Sequence, residues 1–182
     1  PTHPATQARI KQQIEQYKRW GFKYLKLDYL VNASVQADSY YDKNVTTGIQ
    51  AYNSGMAFLS ETCDDDMFLA LSISPLFPSQ YGNSRRISCD AWGKLADSKY
   101  VLNGLSGGWW LDRVYRFNDP DHLTFYKDKN GTQSSEKEAR IRATSGVITG
   151  TYIIGRNLSL SGTKPGEQAA RNRTEKIATN AG

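Results

Sequence analysis

The segment Met67-Phe68-Leu69-Ala70-Leu71-Ser72-Ile73-Ser74 is almost continuously apolar. A strand with one wet face would alternate apolar and polar residues, so this run predicts a strand buried on both faces, as in a parallel sheet covered by helices. The chain before it agrees. Ile10, Ile14 and Tyr17 fall at helical spacing and predict a helix over residues 6–20, with Thr6 able to cap its start and Gly21 placed to end it. Lys23 to Leu30 has period-2 strand character, and Thr46 to Glu61 reads as a second helix with Ile49, Tyr52, Met56 and Leu59 on one stripe.

The alternation continues beyond that run. Arg86–Asp90 is a short strand candidate, Ala91–Lys99 a helix, Arg113–Asn118 a strand, Glu136–Val147 a helix, Thr151–Ile154 a strand and Gly166–Ala178 a last helix. Five strands interleaved with helices, joined by short connections, point to an α/β fold with parallel strands.

Composition narrows the class. Of 182 residues, 38% are hydrophobic and 23% charged, proportions of a globular chain and not of a disordered one. No apolar run is long enough for a membrane helix and no signal peptide opens the chain, so no membrane partner is expected. The net charge is +5, but the basic residues from Lys137 onward interleave with acids at helical spacing, as on a solvated helix face. No nucleic-acid motif accompanies them, so a nucleic-acid partner is not expected either. Two cysteines, Cys63 and Cys89, are too few for a disulfide framework or a four-cysteine zinc site. Neither metal nor cofactor is expected. Asp64-Asp65-Asp66 lacks the spacing of a calcium loop and reads as a solvated turn.

Chemistry-bearing residues gather at strand ends, the edge where β/α folds build their sites. On the first strand Tyr24, Lys26 and Asp28 share a face. Lys26 pointing into a packed interior would need a partner, and Asp28 is placed to be one, which would favour the ionised carboxylate. The competing reading has Lys26 in solvent and Asp28 as a turn residue. On the third strand Arg86, Ser88 and Asp90 share a face, unless Asp90 serves only to cap a helix starting at Ala91. Two carboxylates at one rim suit a glycosidase, one acting as nucleophile and the other as proton donor. Asp119-Pro120-Asp121-His122 ends the fourth strand, where the two acids are candidates to touch substrate, with a supporting structural role favoured.

Three motifs together resemble a known family: Lys26-Leu27-Asp28, then Arg86-Ile87-Ser88-Cys89-Asp90-Ala91-Trp92, then Asn118-Asp119-Pro120-Asp121. In order and spacing they are similar to the fourth-, sixth- and seventh-strand motifs of the α-galactosidases, the melibiase-like clan of glycoside hydrolase families 27 and 36. The resemblance runs from about Ile10 to about Asn157, and Tyr41–Met56 is similar to a bacterial subgroup. It implies a (β/α)8 TIM barrel and a retaining double displacement at an α-linked galactoside. Asp28 would be the nucleophile and Asp90 the general acid/base, with Lys26 and Arg86 holding sugar hydroxyls. Asp28 must then be ionised while Asp90 carries a proton, which burial near Trp92 could favour. A retaining pair sits about 5–5.5 Å apart.

The sequence departs from the family in two places. Nothing matches the barrel-opening strands, so the chain resembles the C-terminal part of a barrel, about strands 4 to 8, spanning residues 1–182. The missing N-terminal half would supply part of the sugar pocket, so little or no activity is expected of the chain alone, and its outermost strands would be open edges. Ser74-Pro75-Leu76-Phe77 stands where the family selects its sugar but matches no familiar pattern, which leaves the sugar open. The alternative to an enzyme is a degenerate, non-catalytic carbohydrate-binding barrel.

Gly104-Leu105-Ser106-Gly107-Gly108 matches the G-x-S-x-G pattern of serine hydrolases but lacks the strand, helix and histidine order that pattern requires. Trp109 and Trp110 read instead as a loop wall able to stack on a sugar ring. Asn32, Asn44, Asn130, Asn157 and Asn172 begin glycosylation sequons, Asn32 close to the expected pocket. A secreted or periplasmic location is expected.

Overall fold

The apolar run forms strand β2 over Phe68–Leu71, paired in parallel with β1 (Tyr24–Leu27) on one side and β3 (Ser84–Arg86) on the other. The computed structural model describes residues 1–111, 113–126, 133–149, 153–155 and 167–179. Among these, β4 (Phe117–Asp119) completes a sheet of order β1-β2-β3-β4, with β1 and β4 at its edges. The helices are α1 (Pro4–Arg19), α2 (Gly48–Cys63), α3 (Leu95–Gly107), α4 (Glu136–Thr149) and α5 (Glu167–Thr179). No helix among the described residues is long and apolar enough to cross a membrane. Helices alternating with parallel strands give the expected α/β class and part of a TIM-barrel-like fold.

The chain divides into two compact units, Pro1–Arg86 with Leu111–Asn118, and Ile87–Trp110 with Asp119–Gly182. In the first, the register Tyr24↔Phe68 through Leu27↔Leu71, then Ala70↔Ser84 and Leu71↔Arg85, sorts the side chains onto two faces. Leu25, Leu27 and Leu69 meet Ile14 of α1 and Cys63 of α2. Leu71 joins Tyr52 and Met56 of α2 and Tyr115. The other face carries Tyr24, Lys26, Phe68, Ala70, Ser84 and Arg86, and begins with the Tyr24 and Phe68 rings stacked at 5.6 Å. Apolar residues that face helices thus leave the polar ones to the opposite side.

Local signals decide the helix ends, in two cases differently from expectation. α1 starts at Pro4, whose missing N–H costs nothing in a first turn. His3 Nδ1 accepts from the Ala5 amide at 3.1 Å, so the cap is His3 and not Thr6. α2 opens with a reciprocal capping box: Thr47 Oγ1 accepts from Gln50 N at 3.2 Å, and Gln50 Oε1 from Thr47 N at 3.0 Å. α3 begins at Leu95 and not Ala91, because Gly93 turns the chain at φ +97°, and Asp97 Oδ2 takes the Trp92 and Lys94 amides. Ser106 therefore lies on a helix and not on a nucleophile elbow.

β3 stops at Arg86, four residues short of the expected end. Ile87 N still donates to the Asp119 carbonyl at 2.8 Å, but the Asp121 amide, which would make the next bond of a parallel ladder, donates to Asp119 Oδ1 at 2.8 Å instead. In the second unit Leu123, Phe125, Ala139, Ala143 and Ile177 form the core. Of the expected strand 151–154, Thr151 and Tyr152 lie outside the described residues, while Ile154 bridges Leu123 in parallel. Asp64–Asp66 is a single exposed turn, with Asp66 3.9 Å from Lys18 and 3.8 Å from Lys23. No cluster among the described residues could hold a metal ion. Cys63 and Cys89 are both free thiols.

Candidate active site

Asp28 is the first residue beyond β1. Its backbone neighbour Tyr29 turns into the left-handed region at φ 55°, and the Tyr29 amide donates to Asp28 Oδ1 at 2.9 Å. On the adjacent strand Ser72 N donates to the Leu27 carbonyl at 2.8 Å, which extends the β1–β2 ladder by one step. That step sets the Ser72 side chain beside Asp28. Its hydroxyl bonds the Asp28 carboxylate and, with the Tyr29 amide, holds the carboxyl below the usual aspartate range. The charges of Lys26 and Arg86 add to this, against a small opposing effect of desolvation.

Lys26 is on the expected face but exposed, so it is not a buried cation in need of Asp28. The pairing read from the sequence is corrected here. Asp28 is held ionised mainly by neutral donors, with Lys26 contributing field only.

The segment after β2 bends in the same manner as that after β1. Ile73, β-branched and non-glycine, sits at φ 44°, a strained backbone of the kind that concentrates at working sites. Val31 N reaches its carbonyl at 2.7 Å, tying the turn that contains the exposed Asn32 to this rim. Ser74 is buried; its carbonyl accepts from Arg85 Nη2 at 3.1 Å, and its hydroxyl has no partner among the described residues.

In the second unit, Asp90 is exposed in the connection that leads from β3 to α3. It is not the helix cap, since α3 begins five residues later. The backbone just after it is pinned: Ala91 N donates to Asp121 Oδ2 at 2.6 Å, and Trp92 N to Asp97 Oδ2 at 2.8 Å. Trp92 is itself well exposed, so burial beside it does not enclose Asp90. The Ser88 hydroxyl donates to the Pro120 carbonyl at 2.6 Å.

Asp119 and Asp121 are buried, and Asp119 Oδ1 accepts from the Asp121 amide at 2.8 Å. Asp121 also faces His122 Nδ1 at 3.2 Å. These bonds tie both acids to nearby backbone amides. Trp109 stands 74% exposed in the short turn that follows α3.

No family model matches the sequence, and no curated protein matches it. Solved structures do. An α-galactosidase from Thermus thermophilus, TtGalA in complex with stachyose, superposes with TM-score 0.61 at 19% identity over 94% of this chain and 38% of its own. A family 27 β-L-arabinopyranosidase from Geobacillus stearothermophilus gives TM-score 0.59 at 16% identity, over 96% of this chain and 41% of its own. The fold resembles part of the barrel of these glycosidases. An isomaltodextranase from Arthrobacter globiformis T6 complexed with panose shares it too, with TM-score 0.57 at 18% identity, over 92% of this chain and 31% of its own. The chain thus spans about two fifths or less of each of these glycosidases.

Within this glycosidase-like fold the structure brings Lys26, Asp28 and Arg86 into one electrostatic group, and adds Ser72, which the motifs alone did not single out. A signal for it existed. If β1 and β2 pair in parallel with Lys26 opposite Ala70, then Asp28 must fall opposite Ser72. Register between strands is what a single sequence leaves unstated.

Proposed function

We propose that the chain carries the catalytic carboxylates of a retaining glycosidase acting on terminal α-galactosides, as the C-terminal portion of its barrel. The observation that carries this reading is Asp28: a carboxylate at the C-terminal end of a parallel strand, kept ionised by Ser72, the Tyr29 amide, Lys26 and Arg86. An ionised carboxylate is what a nucleophile requires. The fold, shared with an α-galactosidase bound to stachyose, supports the substrate class.

In the first step an Asp28 oxygen attacks the anomeric carbon, the glycosidic C–O bond breaks, and Asp90 gives its proton to the departing oxygen. In the second, Asp90 takes a proton from water, the water oxygen attacks the same carbon, and the ester to Asp28 breaks. Lys26 and Arg86 would bind sugar hydroxyls, with Ser74 at the position that selects among them and Trp109 as a stacking surface. Asp119 and Asp121 would hold the backbone around Asp90.

The test uses the protein that carries this chain, treated with an activated fluorinated α-galactoside that accumulates the glycosyl-enzyme. The label should appear on the Asp28 peptide and be abolished by Asp28→Asn. Asp90→Asn should spare an activated aryl galactoside while losing unactivated ones. Labelling at any other residue, or equal losses for both variants on the aryl substrate, would refute the assignment.

A further inference from the structure

The rim segment after β2 is held from the helix side of the sheet by side chains that the proposed chemistry does not use. Tyr115, just before β4, is 2% exposed and packs with Leu71, Tyr52 and Met56. Its hydroxyl donates to the Leu76 carbonyl at 2.8 Å. Arg85 of β3 lies in register with Leu71 and so shares its face. Its Nη2 donates to the Ser74 carbonyl at 3.1 Å and its Nη1 to the Arg86 carbonyl at 2.9 Å. Its Nε has no partner among the described residues. Placing a guanidinium and a phenol behind a sheet is costly, and bonds to the rim backbone offset that cost.

These bonds extend a run of fixed carbonyls. Ser72 O accepts from Leu30 N at 3.5 Å and Ile73 O from Val31 N at 2.7 Å, before Ser74 O meets Arg85 and Leu76 O meets Tyr115. Between the last two stands Pro75, whose ring fixes φ and leaves the segment little slack.

Ile73 is the residue whose backbone needs such a hold. At φ 44° its β-branched side chain is strained, and that conformation persists only where the flanking chain over-determines it. Upstream, Ser72 N is fixed on the Leu27 carbonyl at 2.8 Å. Downstream, the hold comes from Arg85 and Tyr115. Ser72 shares a peptide with Ile73, and it stands beside Asp28, one step beyond the Leu27↔Leu71 pair. Slack at Ser74 and Leu76 would let Ile73 relax, and Ser72 would turn with it.

We propose that Tyr115 and Arg85 are positioning residues for Asp28: by clamping the Leu76 and Ser74 carbonyls they keep Ile73 strained and the Ser72 hydroxyl on the Asp28 carboxylate. Both act from behind the sheet, through backbone. As a role in catalysis this rests on Asp28 being the nucleophile; as a statement about the rim it does not.

Tyr115→Phe removes one oxygen and no charge, and carboxyl titration by NMR in the protein that carries this chain reads its effect. The Asp28 titration should move up toward the ordinary aspartate value, in the direction of Ser72→Ala. In a Ser72→Ala background Tyr115→Phe should add nothing, because its effect passes through Ser72. Tyr52→Phe, in the same core but with no bond to the rim among the described residues, should leave Asp28 where it is. An unmoved Asp28 in Tyr115→Phe, or an equal shift in the Ser72→Ala background, would overturn the proposal. Should Tyr115→Phe not fold, Arg85→Lys, which keeps the charge and loses the planar fork, is read in the same way. The acid limb of kcat/KM on an activated α-galactoside separates the clamp from the reading beneath it, and should follow the NMR titration. A titration that moves while the limb stays would refute Asp28 as the nucleophile, whereas a titration that stays would refute the clamp.

Discussion

The Ser72 hydroxyl bonds the Asp28 carboxylate across the β1–β2 ladder, one step beyond the Leu27↔Leu71 pair. Asp28 owes its depressed pKa first to that bond. Ser72→Ala should therefore raise the Asp28 pKa toward the ordinary aspartate value while leaving the Tyr29 amide in place. The sign for stability follows from a pKa lowered on folding. The stabilisation is present above the unfolded value, roughly 3.9, and is lost as pH falls through the folded one. The gap between wild type and Ser72→Ala should then be open at neutral pH and close in acid. Side-chain carboxyl titration by NMR reads this directly, and identical Asp28 curves in the two proteins would contradict it.

Tyr52 is 1% exposed, and its hydroxyl has no hydrogen-bond partner among the described residues. Burial, with Tyr115 nearby, pushes its pKa up to about 12. Because the unfolded phenol ionises near roughly 10, the stability tied to the neutral form is intact below that pH and drains away between there and about 12. Tyr52→Phe removes an unsatisfied polar atom without changing shape, so it should be neutral or stabilising by up to about 1 kcal/mol. It should also flatten the alkaline loss. Denaturant melts of both proteins at pH 8 and pH 11 check this; a clear destabilisation at pH 8 would mean that the hydroxyl has a partner.

Leu71 is the residue of β2 that joins the sheet to Tyr52, Met56 and Tyr115. Leu71→Ala should cost about 2–5 kcal/mol, through lost burial plus the cavity left behind. Chemical denaturation gives the number, and a loss under about 1 kcal/mol would show that this core collapses around the gap.

At the start of α2, a Cβ on Gly48 would overlap the Ser34 carbonyl, while Gly48 N accepts no such freedom to move because it donates to Gln36 Oε1 at 2.9 Å. Gly48→Ala should destabilise by about 1–3 kcal/mol, as overpacking does, even though alanine is the better helix former. If stability rose instead, helix propensity would outweigh the contact between α2 and the 30–34 turn.

Much of this was legible in the residues. The apolar run at 67–74 announced a buried parallel strand, and the period-2 pattern sorted Leu25 and Leu27 from Tyr24, Lys26 and Asp28 onto the faces they occupy. What periodicity could not reveal was where β3 ends. Its length depends on Asp121, far along the chain, whose amide turns to Asp119 Oδ1 instead of continuing the ladder. The start of α3 escaped for a local reason, since Ala91 to Lys94 has helical composition but Gly93 turns at positive φ.

The sequence by itself determined the α/β class, the order of the described helices and strands, and Asp28 at the end of β1, because those follow from patterns within a few residues. Only the tertiary structure decided that Ser72 and not Lys26 is the main partner of Asp28, and that the Tyr115 hydroxyl meets the Leu76 carbonyl. Both depend on which segments lie side by side. Strand register and helix packing settle that, and they bring together residues whose separation along the chain says nothing of their meeting.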